Sequence, residues 1–371
     1  MSVLLVVASF GVGGAERVIV QLANGLARHV PTTLVVVDGE GPLRGLVGPD
    51  VALVDLGLKR VRQAARPIRR LVRERRPDVV LSSQTHVNLL MAGLAPLHPH
   101  GVRTVVREAE LRHGRVRTDR LIRLAHRTLY RSLDLVLASS PWMAADLAAR
   151  HRGRIAVLPN PVDVAALRAS AASSPAPAPA TTDPAGGRTF VHVGRLIARK
   201  RATDVVAAFA AGADEADRLI VIGDGPQRIA LEAQVAALGV EDRVRLVGLD
   251  PEPARTVARA DVLVSGSFTE GMPNVVLEAL AVGTPVLATD DLVTVASVAA
   301  TFPSGALRQV PRADLARAIA ATPAAPGVPG DDGLRASLLP EEHRPDRVAA
   351  QLLDLLDDLS AGPLDRPGRT D

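Results

Sequence analysis

Continuous apolar runs, not alternating ones, set the pattern of this chain. Residues 3–8 form such a run, as a strand buried on both faces of a parallel sheet requires, and the largely apolar residues 33–37, 51–55 and 79–82 read as further strands. Stretches with helical spacing lie between them, one running from the Gly11–Arg17 segment to His29 and another over residues 62–76. Further runs at 103–106 and 132–140 continue the series, and residues 155–161 close it. A second series starts at Thr189, with strands expected at 189–193, 219–222, 244–248, 262–264 and 285–288 and helices ending near Leu238 and covering 275–282. Repeated strand–helix alternation predicts doubly wound parallel sheets. Residues 168–188, rich in Ala, Pro and Ser, separate the two series and read as a linker. The expected division is residues 1–162, residues 163–345, an amphipathic helix at 346–360 and a disordered tail at 361–371. Proline and glycine breaks leave residues 292–345 without a readable pattern.

A length of 371 residues accommodates two ordinary domains. The absence of cysteine excludes disulfides and thiolate metal sites and points to a reducing compartment. The N-terminal apolar run has no basic segment before it and runs into glycines, so it reads as a first buried strand and not a signal peptide. No run approaches the roughly 18 apolar residues of a membrane span. The expectation is a soluble, cytoplasmic protein.

Charge is unevenly spread. Residues 1–162 hold 24 Lys and Arg against 12 Asp and Glu, a formal +12, and the remainder holds 20 against 28, a formal −8. Such asymmetry marks different partners for the two halves. Seven arginines and one acid fall within residues 62–76, and a further basic stretch covers 112–131. The arginines are either a solvated face or a contact for an acidic acceptor, a lipid phosphate or the inner membrane face. The scarcity of aromatics disfavours nucleic acid.

Three turns carry candidate chemistry. The first is the glycine loop at Gly13 and Gly14, between a strand and a helix, where backbone can approach a phosphate. The second follows the strand that opens the second series: Arg195 and Lys200 precede a helix and offer a bidentate fork and a point charge to phosphate oxygens. The third runs from Ser265 to Asp290, strand, turn, helix and strand, with Gly271, Met272, Pro273 and Asn274 at a helix N-terminus suited to an anion. Glu270 and Glu278 flank that turn. Carboxylates beside an anion site would repel the anion but can accept hydrogen bonds from neighbouring hydroxyls, so phosphate and hydroxyls together suggest a nucleotide sugar. The alternative is a favourable cap at Glu270 and a solvated Glu278.

The stretch EGMPNVVLEALAVGTPVLATD resembles the signature of the retaining glycosyltransferases of family 4, which have the two-domain GT-B fold. Three further segments resemble the family: GGAER after the first strand, Gly194-Arg195 followed by Lys200, and Gly223-Asp224-Gly225-Pro226. IAVLPNP is similar to the family's boundary segment. The likeness covers residues 2–290. It implies two Rossmann-like domains facing one another across a cleft and a terminal helix that crosses back to the first. It also implies transfer from a nucleotide sugar, most commonly a UDP-sugar, without metal or other cofactor. Carried over by residue, Arg195 and Lys200 hold the donor diphosphate, Glu270 the transferred sugar, Glu278 the ribose, and the backbone of Gly271–Asn274 a phosphate. Gly13 and Gly14 lie near the donor diphosphate, and Gly223 and Gly248 near the base.

This chain departs from the family at two points. Many members have a histidine in the loop after the strand at 103–106, whereas this loop reads Arg107-Glu108-Ala109-Glu110 and the next histidine is His113. Glu108 is the expected substitute, with Arg107 and His86 also on the acceptor side. The family often has glycine after the lysine, and this chain has Arg201. Catalysis is therefore expected from Glu270, Arg195, Lys200 and Glu108. The acceptor is a small molecule, a glycan or a lipid-linked sugar, in glycoconjugate, polysaccharide or secondary-metabolite biosynthesis, antibiotics included. The alternatives are other nucleotide-sugar chemistry, epimerase or hydrolase, and a non-catalytic scaffold.

Overall fold

In a computed structural model that describes residues 1–11, 13–109, 124, 126–173, 187–268, 270–325 and 333–361, the first series of apolar runs forms one parallel sheet. Its strands are β1 (Val3–Ser9), β2 (Thr32–Asp38), β3 (Ala52–Asp55), β4 (Val79–Ser83), β5 (Arg103–Glu108), β6 (Leu135–Ala138) and β7 (Ile155–Val157). They lie in the order β3-β2-β1-β4-β5-β6-β7. Glu110, His113, most of the 112–131 basic stretch, residues 174–186 of the expected linker and the tail from 362 lie outside the described residues.

Helices α1 (Gly14–Ala27), α2 (Ala65–Arg75), α3 (Thr85–Leu94) and α4 (Pro141–Ala148) connect these strands. The sheet buries one face under α1, with Val18, Leu22 and Leu26 packed on Leu5 and Val7. The other face lies under α2 and α3, with Ile68, Val72, Val87 and Met91 packed on Leu4 and Val6. The continuous apolar runs follow from this double covering. Residues 62–64, expected within the helix over 62–76, instead fall in a separate 3-10 turn, Val61–Ala64. Pro67 explains the break, because in a longer α-helix its ring would meet the carbonyl of residue 63, whereas in a first turn it is tolerated.

Residues 1–162 and the segment from Glu341 onward make one compact unit, and residues 163–340 make another. Residues 341–345 thus belong with the first unit, held there where Val162 N–H donates to the His343 carbonyl at 2.7 Å.

The second unit opens with α5 (Val164–Ala172) and contains the strands β8 (Thr189–Val193), β9 (Arg218–Ile222), β10 (Val244–Gly248), β11 (Val262–Ser265), β12 (Val286–Thr289) and β13 (Leu307–Val310). All are parallel, in the order β10-β9-β8-β11-β12-β13. Helices α6 (Ala202–Gly212), α7 (Arg228–Ala237), α8 (Ala254–Arg259), α9 (Asn274–Ala281), α10 (Val293–Ala296) and α11 (Leu315–Ala320) link and cover them. Residues 168–172, read as linker from composition, are the second half of α5. The Asp163 carboxylate caps that helix by accepting from Ala166 N–H at 2.9 Å, and Arg168 donates to the Arg335 carbonyl at 2.8 Å. Alanine favours helix, and the prolines begin only at Pro175.

The chain ends its described part in α12 (Pro345–Ala361), which places Val348, Leu352, Leu356 and Leu359 in the same core as α1. A Cβ on Gly25 would lie 2.8 Å from that of Ala349, so the close approach of the two helices requires glycine there.

Both sheets reverse strand order once, between β1 and β4 and between β8 and β11. In open α/β sheets ligands bind outside the carboxyl ends of strands at such a reversal.

Candidate active site

In the second unit the reversal brings the loop after β8 against the loop after β11. Val262 pairs with Phe190 and Leu263 with Val191, so both strands point their carboxyl ends the same way. The β8 loop passes through Arg195 into a 3-10 turn at Ala198–Lys200, and the β11 loop passes through Phe268 and Glu270 into α9. They meet in an ion pair. Lys200 Nζ donates to Glu270 Oε1 at 2.7 Å and Oε2 at 2.8 Å, with the side chains only 14% and 13% exposed.

Backbone contacts hold the two loops together. Phe268 N–H donates to the Arg199 carbonyl at 3.2 Å. Thr294 Oγ1, on α10, donates to the Glu270 carbonyl at 3.2 Å. A third loop lies alongside: Gly223 N–H donates to the Gly248 carbonyl at 2.7 Å, and Gly194 N–H to that of Ile222 at 2.9 Å. Gly223 has φ 139°, and a Cβ there would sit 1.9 Å from the Gly194 oxygen. Only glycine fits that crossing.

Of the remaining second-unit candidates, Arg195 is exposed and makes no side-chain hydrogen bond or ion pair among the described residues. Gly271, Met272 and Pro273 are buried, Asn274 begins α9, and Glu278 is half-buried one turn further along. Lys200, Glu270, Gly223 and Gly248 are thus gathered around the β8–β11 reversal, with Arg195 and Glu278 on the same elements.

His192, on β8 beneath this site, was not singled out from sequence. It is 2% exposed, its Nδ1 lies 2.9 Å from the Val264 carbonyl, and its Nε2 has no partner among the described residues. Burial chiefly, with the Lys200 charge adding, lowers its pKa to about 4, against the opposing pull of the Val264 carbonyl and Glu270. The signal was available as a polar residue inside an apolar run.

Arg201 takes the left-handed conformation, φ 49° and ψ 42°. For a non-glycine residue that costs roughly 1–2 kcal/mol. The departure from glycine visible in the sequence therefore falls where glycine would be unstrained.

In the first unit Gly13 caps α1 and Gly14 is its first residue. Gln84, after β4, bridges to this loop: it accepts from Ala8 N–H at 3.2 Å and donates to Glu16 Oε1 at 2.6 Å. It has φ 76°, an uncommon value for glutamine. His86 is exposed in the first turn of α3.

Arg107 and Glu108, expected on the acceptor side, lie inside the unit at 1% and 2% exposure. Their strand is paired on both sides, with Ser83 opposite Arg107 and Ala138 opposite Glu108. Glu108 Oε1 accepts from the Tyr130 hydroxyl and from Asn88 Nδ2 at 3.1 Å. Arg107 donates to Asn160 Oδ1. Desolvation lowers the Arg107 pKa to about 10, and burial beside Glu108 pushes the Tyr130 phenol well above its ordinary value. Sequence reasoning missed Asn88, Tyr130 and Asn160, which are distant from Glu108 and Arg107 along the chain. Among the described residues, no group of three His, Asp or Glu could hold a metal ion, and no helix is long and apolar enough to cross a membrane.

Two family models match the chain, one described as Glycosyltransferase Family 4 over residues 12–166 and one as Glycosyl transferases group 1 over residues 179–322. The chain is a group 1 glycosyltransferase. This glycosyltransferase is similar to the lipopolysaccharide core biosynthesis glycosyltransferase LpsE of Rhizobium meliloti, 28% identical over 287 residues, or 75% of this chain and 76% of that one. It is 37% identical over 107 residues, 28% of each chain, to the 2-deoxystreptamine glucosyltransferase of Streptomyces kanamyceticus. Among solved structures, Anabaena HepE in complex with UDP superposes with a TM-score of 0.71 at 16% identity, covering 96% of this chain and 100% of that one. That likeness is one of fold, two Rossmann-like parallel-sheet domains as the sequence led one to expect.

Proposed function

We propose that this glycosyltransferase moves a sugar from a UDP-sugar to an acceptor hydroxyl with retention of anomeric configuration. The bond from the anomeric carbon to the diphosphate breaks, a bond to the acceptor oxygen forms, and the acceptor's proton leaves with the nucleotide. The observation that carries this reading is the Lys200–Glu270 pair at the β8–β11 reversal.

In this reading Lys200 and the exposed Arg195 neutralise charge developing on the departing diphosphate, which is electrostatic stabilisation of the transition state. The backbone at Gly271–Asn274 adds donors at the start of α9. Glu270 then accepts from hydroxyls of the transferred sugar and Glu278 from those of the ribose. Gly223 and Gly248 bring backbone close to the base. The UDP bound to HepE supports uracil as the base.

The acceptor site belongs to the first unit. The burial of Glu108 assigns it to holding Tyr130 and Asn88 in place, so His86 is the better placed group for acceptor contact. Arg62, Arg66, Arg70, Arg73, Arg75 and Arg76 are exposed, and this basic face favours an anionic or lipid-linked acceptor, presented at a membrane surface, over a cationic one. The lipopolysaccharide role in the name of LpsE agrees with that preference.

Titration of UDP-, GDP- and TDP-sugars into the wild type and Glu278→Ala tests the reading. Binding of a UDP-sugar that the substitution weakens supports it. No binding by any of the panel would return the chain to the scaffold alternative.

A further inference from the structure

Arg201 occupies a backbone conformation that glycine adopts freely and arginine rarely. Such a residue persists only where its surroundings over-determine it. Its own side chain supplies much of that determination. The guanidinium lies over the Phe268 ring, 4.6 Å from the centroid, and Nη1 donates to Asp291 Oδ2. Nε lies 4.0 Å from Asp204 Oδ2 in the first turn of α6.

These partners sit on separate loops. Phe268 belongs to the loop after β11, two residues before Glu270, and Asp291 to the loop after β12. Thr294, three residues beyond Asp291, holds the Glu270 carbonyl. Arg201 itself directly follows Lys200, and its carbonyl lies 3.1 Å from where a Cβ on Gly266 would stand. One side chain therefore links the turn that carries Lys200 to the loop that carries Glu270 and to the loop whose helix braces Glu270.

We propose that Arg201 is a positioning residue, fixing the separation of Lys200 and Glu270 by clamping Phe268 and Asp291. The proposal rests on the reading of that pair as part of the donor site. The contacts are peripheral to the core, since the side chains of Arg201 and Asp291 are 21% and 38% exposed and Phe268 is 37% exposed. The clamp therefore acts at the edge of the site and not within the core of the unit.

Arg201→Gly separates the two roles, because it relaxes the backbone while deleting the clamp. The measurements are the melting temperature and the dissociation constant for UDP, taken on the wild type, Arg201→Gly, Arg201→Lys, Phe268→Leu and the donor-site control Arg195→Ala. The expected result is a melting temperature for Arg201→Gly at or above that of the wild type, with UDP binding weakened about fivefold to tenfold. Phe268→Leu should weaken it similarly. Arg201→Lys should recover part of the loss through Asp291 but not the stacking of a planar group. If Arg195→Ala abolishes binding while Arg201→Gly binds UDP like the wild type, the positioning role is wrong and the donor site stands. A lower melting temperature and lost binding together in Arg201→Gly would also overturn it, making Arg201 structural. A wild type that binds no UDP removes the donor-site reading itself.

Discussion

Lys200 and Glu270 neutralise one another at 2.7 and 2.8 Å, although each is proposed to serve a different part of the donor. A diphosphate arriving at Lys200 must compete with Glu270 for its ammonium. In the proposed reaction donor binding then releases the carboxylate to the sugar hydroxyls, so that the two residues would act in concert. Glu270→Gln removes the competitor and should tighten UDP binding about fivefold, equivalent to an ion pair of roughly 1 kcal/mol. Sugar transfer should fall about 100-fold in the same variant. Calorimetry with UDP and initial-rate assays read the two opposite effects.

Removing the cation acts differently. Lys200→Ala deprives the Glu270 carboxylate, 13% exposed in the pair, of its partner, at an expected cost of about 2 kcal/mol in stability and with loss of UDP binding. Urea unfolding measures the first and calorimetry the second.

Gly223→Ala places a methyl group on the Gly194 carbonyl in a backbone region that alanine avoids. The crossing of the two loops must open, which should cost at least about 2 kcal/mol and weaken donor binding. A variant with wild-type stability would show that the crossing is not as close as described.

Buried His192 gives the second unit a pH dependence of definite sign. Its folded pKa, about 4, is below the roughly 6.5 of an unfolded histidine. The unfolded chain thus binds a proton that the folded chain refuses between these values. The stability contributed is complete above pH 6.5 and is lost progressively as pH falls toward 4, by about 3 kcal/mol. Burial also lowers the pKa of His343 and His151 in the first unit, with the same sign. His192→Asn, which retains a donor for the Val264 carbonyl, should flatten the dependence in denaturant titrations at pH 4.5 and 7.

Much of the second unit was legible in the sequence because its strands and candidate residues are local to strand–turn–helix segments. Arg195 and Lys200 lie five residues apart in one loop, and Glu270 through Asn274 in another. Apolar runs located the strands that place both loops at one sheet reversal. The first unit was less legible for the opposite reason. Whether the end of β5 faces outward or inward depends on Tyr130, Asn88 and Asn160, which reach it through the fold and not through the sequence. The 3-10 break before α2 was readable from Pro67, and the helical second half of α5 was obscured by an alanine-rich composition shared with the linker.

The central claim is sugar transfer with retention, and proton NMR of the product formed from an α-linked UDP-sugar tests it most directly. Incubation of the wild type with a panel of UDP-sugars and either a lipid-linked acceptor or water should release UDP and give an initial product with the α configuration. Lys200→Ala should give none. An initial β product would contradict retention, and the absence of turnover with every sugar and acceptor, together with no UDP binding, would contradict the assignment of the β8–β11 reversal as a donor site.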